Sequence, residues 1–187
     1  LRGSGIEVIT GVLEKDALFQ NRSFIHRVRF GRPWGILKWA MSLDGRTALP
    51  NGQSKWISGE KARNWVHELR ATCDAVIIGG RTLRTDDPLL TSRGKRHPEP
   101  LRVVLSRSME LPEKARLWDV ETAQTLIAHG SEFDQVNSSF LPAGIECLLL
   151  ESSEPVALLK TLANRNCNRV LWECGPALAT AAIKQDC

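Results

Sequence analysis

Residues 35–56 read GILKWAMSLDGRTALPNGQSKW. The stretch opens as a strand, since Ile36, Leu37, Trp39 and Met41 supply apolar surface on both faces. Asp44-Gly45 breaks it, because that dipeptide favours the left-handed backbone of a tight turn. A strand pattern resumes over 46–49 and turns again at Pro50-Asn51-Gly52. Two features are foreign to a purely structural strand. Lys38 stands inside an apolar run, where an ammonium is costly unless it is paired or used. The bland reading is a strand-end lysine that reaches water. Ser54 and Trp56 then bring a small hydroxyl close to a large flat ring after a flexible loop.

Downstream, Ser58 is a good N-cap for a helix that runs to about Ala71. Ala62, Trp65, Val66 and Leu69 form its apolar stripe, with Arg70 in its last turn. Residues 74–79, DAVIIG, have the look of a strand buried on both faces and run into Gly79-Gly80. A short helix or turn over 81–85 is closed by Asp86-Asp87-Pro88, and a basic loop follows with Arg93, Lys95, Arg96 and His97. Three more buried-type strands are predicted at 101–105, 125–128 and 145–150, then a helix over 155–164 with proline in its first turn. The last strand, 169–172, leads at once into Glu173-Cys174-Gly175-Pro176 and a helix over about 177–184. Strands alternating with helices predict an α/β domain with a mostly parallel central sheet flanked by helices. Upstream, 6–12 reads as a strand and 14–27 as a helix, with Ala17, Leu18, Phe24 and Ile25 at helical spacing. The basic, breaker-containing joint Arg29-Phe30-Gly31-Arg32-Pro33 sets a boundary there, so 1–28 reads as an appendage and 29–187 as the domain.

The totals narrow the function classes. A chain of 187 residues holds one domain with an appendage and needs no covalent staples. Its 25 basic and 21 acidic residues leave a charge of +4, which suits a small anionic ligand and is too weak to argue for nucleic acid. The five cysteines form no CxxC pair and no metal-ligand spacing, which predicts reduced thiols in a reducing compartment and no metal. No long apolar run or charged-then-apolar leader is present, so neither a membrane span nor a secretory signal is expected.

In open α/β sheets, ligands gather beyond the carboxyl ends of the strands, and three such ends are suggestive. Gly79-Gly80-Arg81-Thr82 lets a phosphate or ring approach the backbone, although it is neither GxGxxG nor a P-loop and also fits a plain tight turn. At Glu173-Cys174-Gly175-Pro176 a strand delivers a carboxylate and a helix opens, an arrangement suited to a sugar hydroxyl and a pyrophosphate, or to a turn with a solvent-facing Glu. Asp86-Asp87-Pro88 has two acids without a third metal ligand and reads as a turn or cap. Arg70 and Arg93 are candidates to clamp a phosphate. No GxSxG elbow and no zinc-deaminase signature occurs, and His26, His67 and His129 have no nameable partners.

Taken together, several blocks closely resemble the reductase domain of the bifunctional riboflavin biosynthesis deaminase/reductase. They are Arg32-Pro33, Leu37-Lys38, 42–48 SLDGRTA, 54–58 SKWIS, Leu69-Arg70-Ala71, 74–79 DAVIIG, Thr82, 86–93 DDPLLTSR, and Glu173 with Gly175-Pro176. They keep the family's order and span about 32–184, while 1–24 resembles the end of the deaminase domain that precedes this reductase. The resemblance implies a dihydrofolate-reductase-like fold and NADPH-dependent reduction of 5-amino-6-(5-phosphoribosylamino)uracil to the ribitylamino phosphate. Carried over by position, Lys38 and Glu173 are catalytic, and Ser54, Arg70, Leu90 and Arg93 bind substrate. Ala40, Trp56, Thr82, Asp86, Gly175, Pro176, Ala177 and Leu178 face NADPH. The family continues past the equivalent of Cys187 with strands that finish the sheet, so the domain is expected to be C-terminally incomplete here. An upstream deaminase domain in the same chain, a homodimer or homo-oligomer, and a cytoplasmic (or plastid) location are implied too. Where the family usually has an Asp after the strand at 101–105, this chain has Ser106 and Arg107. Two other readings remain: a related pteridine or folate reductase, and a non-catalytic module that binds NADPH or substrate without turnover.

Overall fold

The computed structural model describes residues 1–50, 54, 57–130 and 141–187; the expected cofactor contact Trp56 lies outside them. Among the described residues six strands form one sheet: β1 (Trp34–Leu37), β2 (Ala75–Gly79), β3 (Leu101–Leu105), β4 (Thr125–Gly130), β5 (Glu146–Leu150) and β6 (Arg169–Trp172). Their order is β1-β6-β2-β3-β4-β5, and every pairing is parallel. Parallel neighbours need crossovers. Helices α3 (Glu60–Ala71), α4 (Gly80–Asp86) and α5 (Pro155–Asn164) supply three of them, and α6 (Pro176–Lys184) follows the last strand, β6. Two more, α1 (Glu14–Gln20) and α2 (Arg22–Phe30), precede the sheet.

The strand pleat sorts the core into two layers. Ala75, Ile77, Val103, Leu105, Leu126 and Ala128 point to one face, where Leu158, Leu159 and Leu162 of α5 and Ala179 and Ala182 of α6 cover them. Val76, Ile78, Val104 and Ile127 alternate to the other face against Leu83 of α4, Leu90, Leu117 and Trp118. Burial on both faces is why these strands read as mostly apolar runs; Arg102 in β3 is an exception and is itself fully buried. Strand order reverses between β2 and β6: from β2 the chain steps outward through β3, β4 and β5, then returns to place β6 on the other side. A crevice opens there beyond the carboxyl ends, at Gly79 and Glu173.

Several local expectations are corrected. Residues 6–12 form no strand: Gly5 and Gly11 take φ of +76° and +81°, and Ile6, Ile9 and Val12 stay exposed with no ladder partner. The helix expected over 14–27 is two, broken at Asn21 and extended to Phe30. The opening strand stops at Leu37, and 46–49 is not a strand, since among the described residues no strand pairs with it; the turn at Asp44-Gly45 does form, with Gly45 at φ +78°. The N-cap of α3 is Gly59, whose carbonyl accepts the Arg63 amide, and Ser58 makes no side-chain cap. Of the stripe on α3, Val66 is buried while Trp65 is 56% exposed.

Asp74, just before β2, ties distant parts together. Its Oδ2 accepts the amides of Asn168 (2.8 Å) and Arg169 (3.1 Å) at the start of β6, and its Oδ1 meets Arg96 Nη2 at 3.2 Å. Asp74→Ala leaves those amides without their acceptor and is predicted to cost about 2 kcal/mol of unfolding free energy, read from urea denaturation. Asp74→Asn, which keeps an acceptor, is expected to cost less.

Candidate active site

Lys38 follows β1 and Glu173 follows β6, and the register of these strands pairs Leu37 with Trp172. The next residue on each strand is therefore a neighbour: the Lys38 amide donates to the Trp172 carbonyl (3.1 Å), and Lys38 Nζ lies 3.9 Å from Glu173 Oε2. From the last turn of α3, Arg70 meets the same carboxylate side-on, Nε to Oε1 at 2.6 Å and Nη2 to Oε2 at 3.0 Å. Its Nη1 donates to the Thr91 carbonyl at 2.9 Å. The Arg70 and Glu173 side chains are only 12% and 10% exposed. Glu173 is thus no solvent-facing turn residue but the centre of a Lys38–Glu173–Arg70 cluster. Among the described residues three of the five Arg70 N–H groups are committed, leaving one on each terminal nitrogen for a ligand.

Two clefts meet at this cluster. The first, about 790 Å3, runs along the crevice between β2 and β6; Gly79, Gly80, Thr82, Glu173 and the start of α6 form its walls. Pro176, Ala177 and Leu178 bring the free amide end of α6 to it, a setting for anionic oxygens. The wall is open at Gly175, where an added Cβ would meet nothing nearer than Thr82 Oγ1 at 3.9 Å. Lys38, Arg81, Arg84 and Arg107 outnumber Asp86 and Glu173 along it. Volume, glycine wall, helix end and excess cations together fit an elongated phosphorylated dinucleotide. Cys174 also lines this cleft, but burial pushes its thiol up to about 11, so it stays protonated at neutral pH and is no nucleophile.

The second cleft, about 570 Å3, is lined by Arg63, His67, Arg70, Thr91, Arg93 and Arg116 among others. Lys38, Ala40, Ser54 and Asp86 line both clefts and mark the junction. The structure therefore places Lys38, Ala40, Ser54 and Asp86 at the junction, Arg70 and Arg93 in the second cleft, and Glu173, Thr82 and 175–178 along the first. Leu90 is the exception: its side chain is buried in the core at φ +56°, and only its neighbours Leu89 and Thr91 line the second cleft.

Sequence reasoning passed over His67, although it lies three residues before Arg70 on α3, and that spacing puts both on one helix face. Its Nδ1 is buried without a hydrogen-bond partner among the described residues. Burial, then the charges of Arg70 and Arg93, hold its pKa below the usual imidazole value, so it lines the cleft uncharged at neutral pH. The described residues hold no group of three His, Cys, Asp or Glu able to bind a metal ion.

Breaking the central pair by Glu173→Leu is predicted to cost about 3 kcal/mol, because it strands a nearly buried guanidinium. Adding Arg70→Met should recover most of that loss in chemical denaturation. A double variant no more stable than the single one would contradict this reading of the cluster.

Comparison with known proteins gives a consistent set of relatives. A family model described as the RibD C-terminal domain matches residues 33–187. The riboflavin biosynthesis protein RibD of Synechocystis is 48% identical over 184 residues, 98% of this chain and 50% of that protein. The chloroplastic riboflavin biosynthesis protein PYRR of Arabidopsis thaliana is 39% identical over 194 residues, 98% of this chain and 32% of that protein. The chain thus spans about half or less of the length of the curated relatives it matches. Among solved structures, a diaminohydroxyphosphoribosylaminopyrimidine deaminase/5-amino-6-(5-phosphoribosylamino)uracil reductase from Thermotoga maritima superposes with a TM-score of 0.86. It is 34% identical, and the match covers 98% of this chain and 51% of that one. A Saccharomyces riboflavin biosynthesis reductase, 14% identical with a TM-score of 0.65 over 90% of this chain and 76% of its own, shares the fold.

Proposed function

The chain belongs to the RibD C-terminal domain family, and from that premise we propose that it reduces 5-amino-6-(5-phosphoribosylamino)uracil to 5-amino-6-(5-phosphoribitylamino)uracil with NADPH. The observation that carries the reading is the junction of the two clefts. One fits a dinucleotide, the other is lined with arginines suited to a phosphorylated sugar, and they share Lys38, Ala40, Ser54 and Asp86. Excess cation in the first cleft favours NADPH, with its additional phosphate, over NADH.

When bound, the reduced nicotinamide supplies the hydride. The chain's own residues do the rest. Arg93, with Ser54 and the free N–H groups of Arg70, holds the 5-phosphate and so fixes the ribose. Lys38 hydrogen-bonds the sugar oxygens at the junction and hands a proton to the ring oxygen as the ribosyl ring opens. The anomeric carbon, now part of a carbon–nitrogen double bond, accepts the hydride there. Glu173, gripped by Arg70, keeps the Lys38 ammonium in place. Ala40, Thr82, Asp86 and the Gly175–Leu178 turn line the cofactor's path.

We place residues 29–187 in the reductase domain and 1–28 at the end of an upstream deaminase domain of the same polypeptide. The length of the relatives and the exposed Leu18, Phe19, Phe24 and Val28 on α1 and α2 support this. The complete protein is proposed to be a homodimer or homo-oligomer. No helix among the described residues is long and apolar enough to cross a membrane, and plant relatives are chloroplastic by name, in keeping with a cytoplasmic or plastid setting.

The test is NADPH oxidation with the deaminated phosphoribosylaminouracil. Lys38→Met should lower kcat at least about 100-fold, the usual scale for a lost proton donor. Unchanged turnover in that variant would remove Lys38 from the mechanism, and reduction of a pteridine in preference to the phosphoribosyl substrate would favour the folate-type alternative.

A further inference from the structure

The loop from Leu90 to Glu99 carries Arg93 to the second cleft by an unusual backbone path. Leu90, Arg93 and Gly94 have φ of +56°, +57° and +78°. The left-handed region is unfavourable for Leu and Arg, so something outside the local chain must hold the loop in shape. Residue by residue, the structure shows what does. The Leu90 side chain is locked in the core. The Thr91 carbonyl accepts from Arg70. Ser92 is fully buried, and its Oγ accepts the Arg96 amide at 3.1 Å. Glu99 then reaches back across the loop. Its Oε2 accepts the Ser92 amide at 2.6 Å, and its Oε1 accepts the Gly94 amide at 3.0 Å. Those are the amides on either side of Arg93. Arg93 itself is left exposed, its guanidinium facing the cleft with no hydrogen bond or ion pair to the described residues.

We propose that Glu99 is a positioning residue for Arg93: one carboxylate grips the two amides that flank it, fixes the left-handed turn, and so aims the cation at the substrate's phosphate. The proposal rests on the reductase reading for the identity of that phosphate, but not for the loop geometry. Two further facts support it. Burial alone would raise the Glu99 pKa, yet the Gly94 and Ser92 amides and the charge of Arg70 outweigh it and hold the carboxyl below its usual value, so the group is ionised at neutral pH. A charged acceptor makes the stronger hydrogen bond to an amide. No other carboxylate among the described residues accepts from the Ser92 or Gly94 amide, so the grip has no substitute.

A merely structural Glu99 would lower stability and leave substrate affinity alone. A positioning Glu99 acts on affinity through Arg93. Glu99→Ala is expected to raise KM for the phosphorylated substrate about tenfold with kcat within about twofold, the signature of lost uniform binding. In an Arg93→Ala background the same change should add nothing further, because the two residues act as one unit. Should Glu99→Ala fail to fold, Glu99→Gln keeps the bulk and one acceptor oxygen but turns an amide N–H toward a backbone N–H, and it should show a smaller loss of the same kind. Hydrogen exchange at the Ser92 and Gly94 amides should quicken in both variants. Binding of inorganic phosphate, followed by calorimetry, should weaken alike in Glu99→Ala and Arg93→Ala; this readout needs no turnover. A normal KM in the Glu99 variants, or the same fold-loss with and without Arg93, overturns the proposal even if the wild type reduces the aminouracil. If the wild type binds phosphate through this loop yet reduces nothing, the reductase reading falls and the Glu99 assignment stands.

Discussion

The ion pair between Arg70 and Glu173 joins residues 103 positions apart in the chain, and the site depends on it. A carboxylate nearly out of water must be paired, and Glu173 is paired twice, side-on by Arg70 and more loosely by Lys38. Each partner arrives on a different element: α3, the end of β1, the end of β6. The pair therefore acts as a keystone, setting where helix α3 sits against the carboxyl ends of the two strands. The third nitrogen of Arg70, bound to Thr91, carries the same constraint into the loop that presents Arg93.

The sheet makes that pairing possible. Because β6 is inserted between β1 and β2, the residues that follow β1 and β6 become lateral neighbours, and the reversal of strand order opens a crevice beside them. A glycine-walled cleft on one side and an arginine-lined cleft on the other then share a short rim. A redox reaction between two bound molecules needs such a rim: each partner is held by its own distant groups, and only the reacting atoms meet.

The central strands were legible because they are buried on both faces, so that burial wrote itself into the sequence as mostly apolar runs at 75–79, 101–105 and 169–172, interrupted only by Arg102 and Arg169. The helices over 155–164 and about 177–184 were legible from the prolines that mark their starts. Residues 6–12 misled, since a strand-like local pattern needs a neighbour to pair with and none is there. The early end of β1 misled likewise. At the site, Lys38, Arg70 and Glu173 could be singled out as chemical types in odd places, but their mutual pairing rests on strand register across more than a hundred residues and has no local signature. Glu99 was invisible for a different reason: it recognises backbone amides, which every sequence has.

In the proposed reaction the rim between the clefts is where the hydride donor meets the anomeric carbon of a ring-opened phosphoribosyl group. The most direct measurement is the fate of deuterium transferred from NADPH labelled at the nicotinamide C4, with the phosphoribosylaminouracil as acceptor and the product read by NMR. Deuterium is expected at C1 of the ribityl chain. Deuterium on a carbon of the pyrimidine ring would place the reacting centre elsewhere in the second cleft and contradict the proposed reaction.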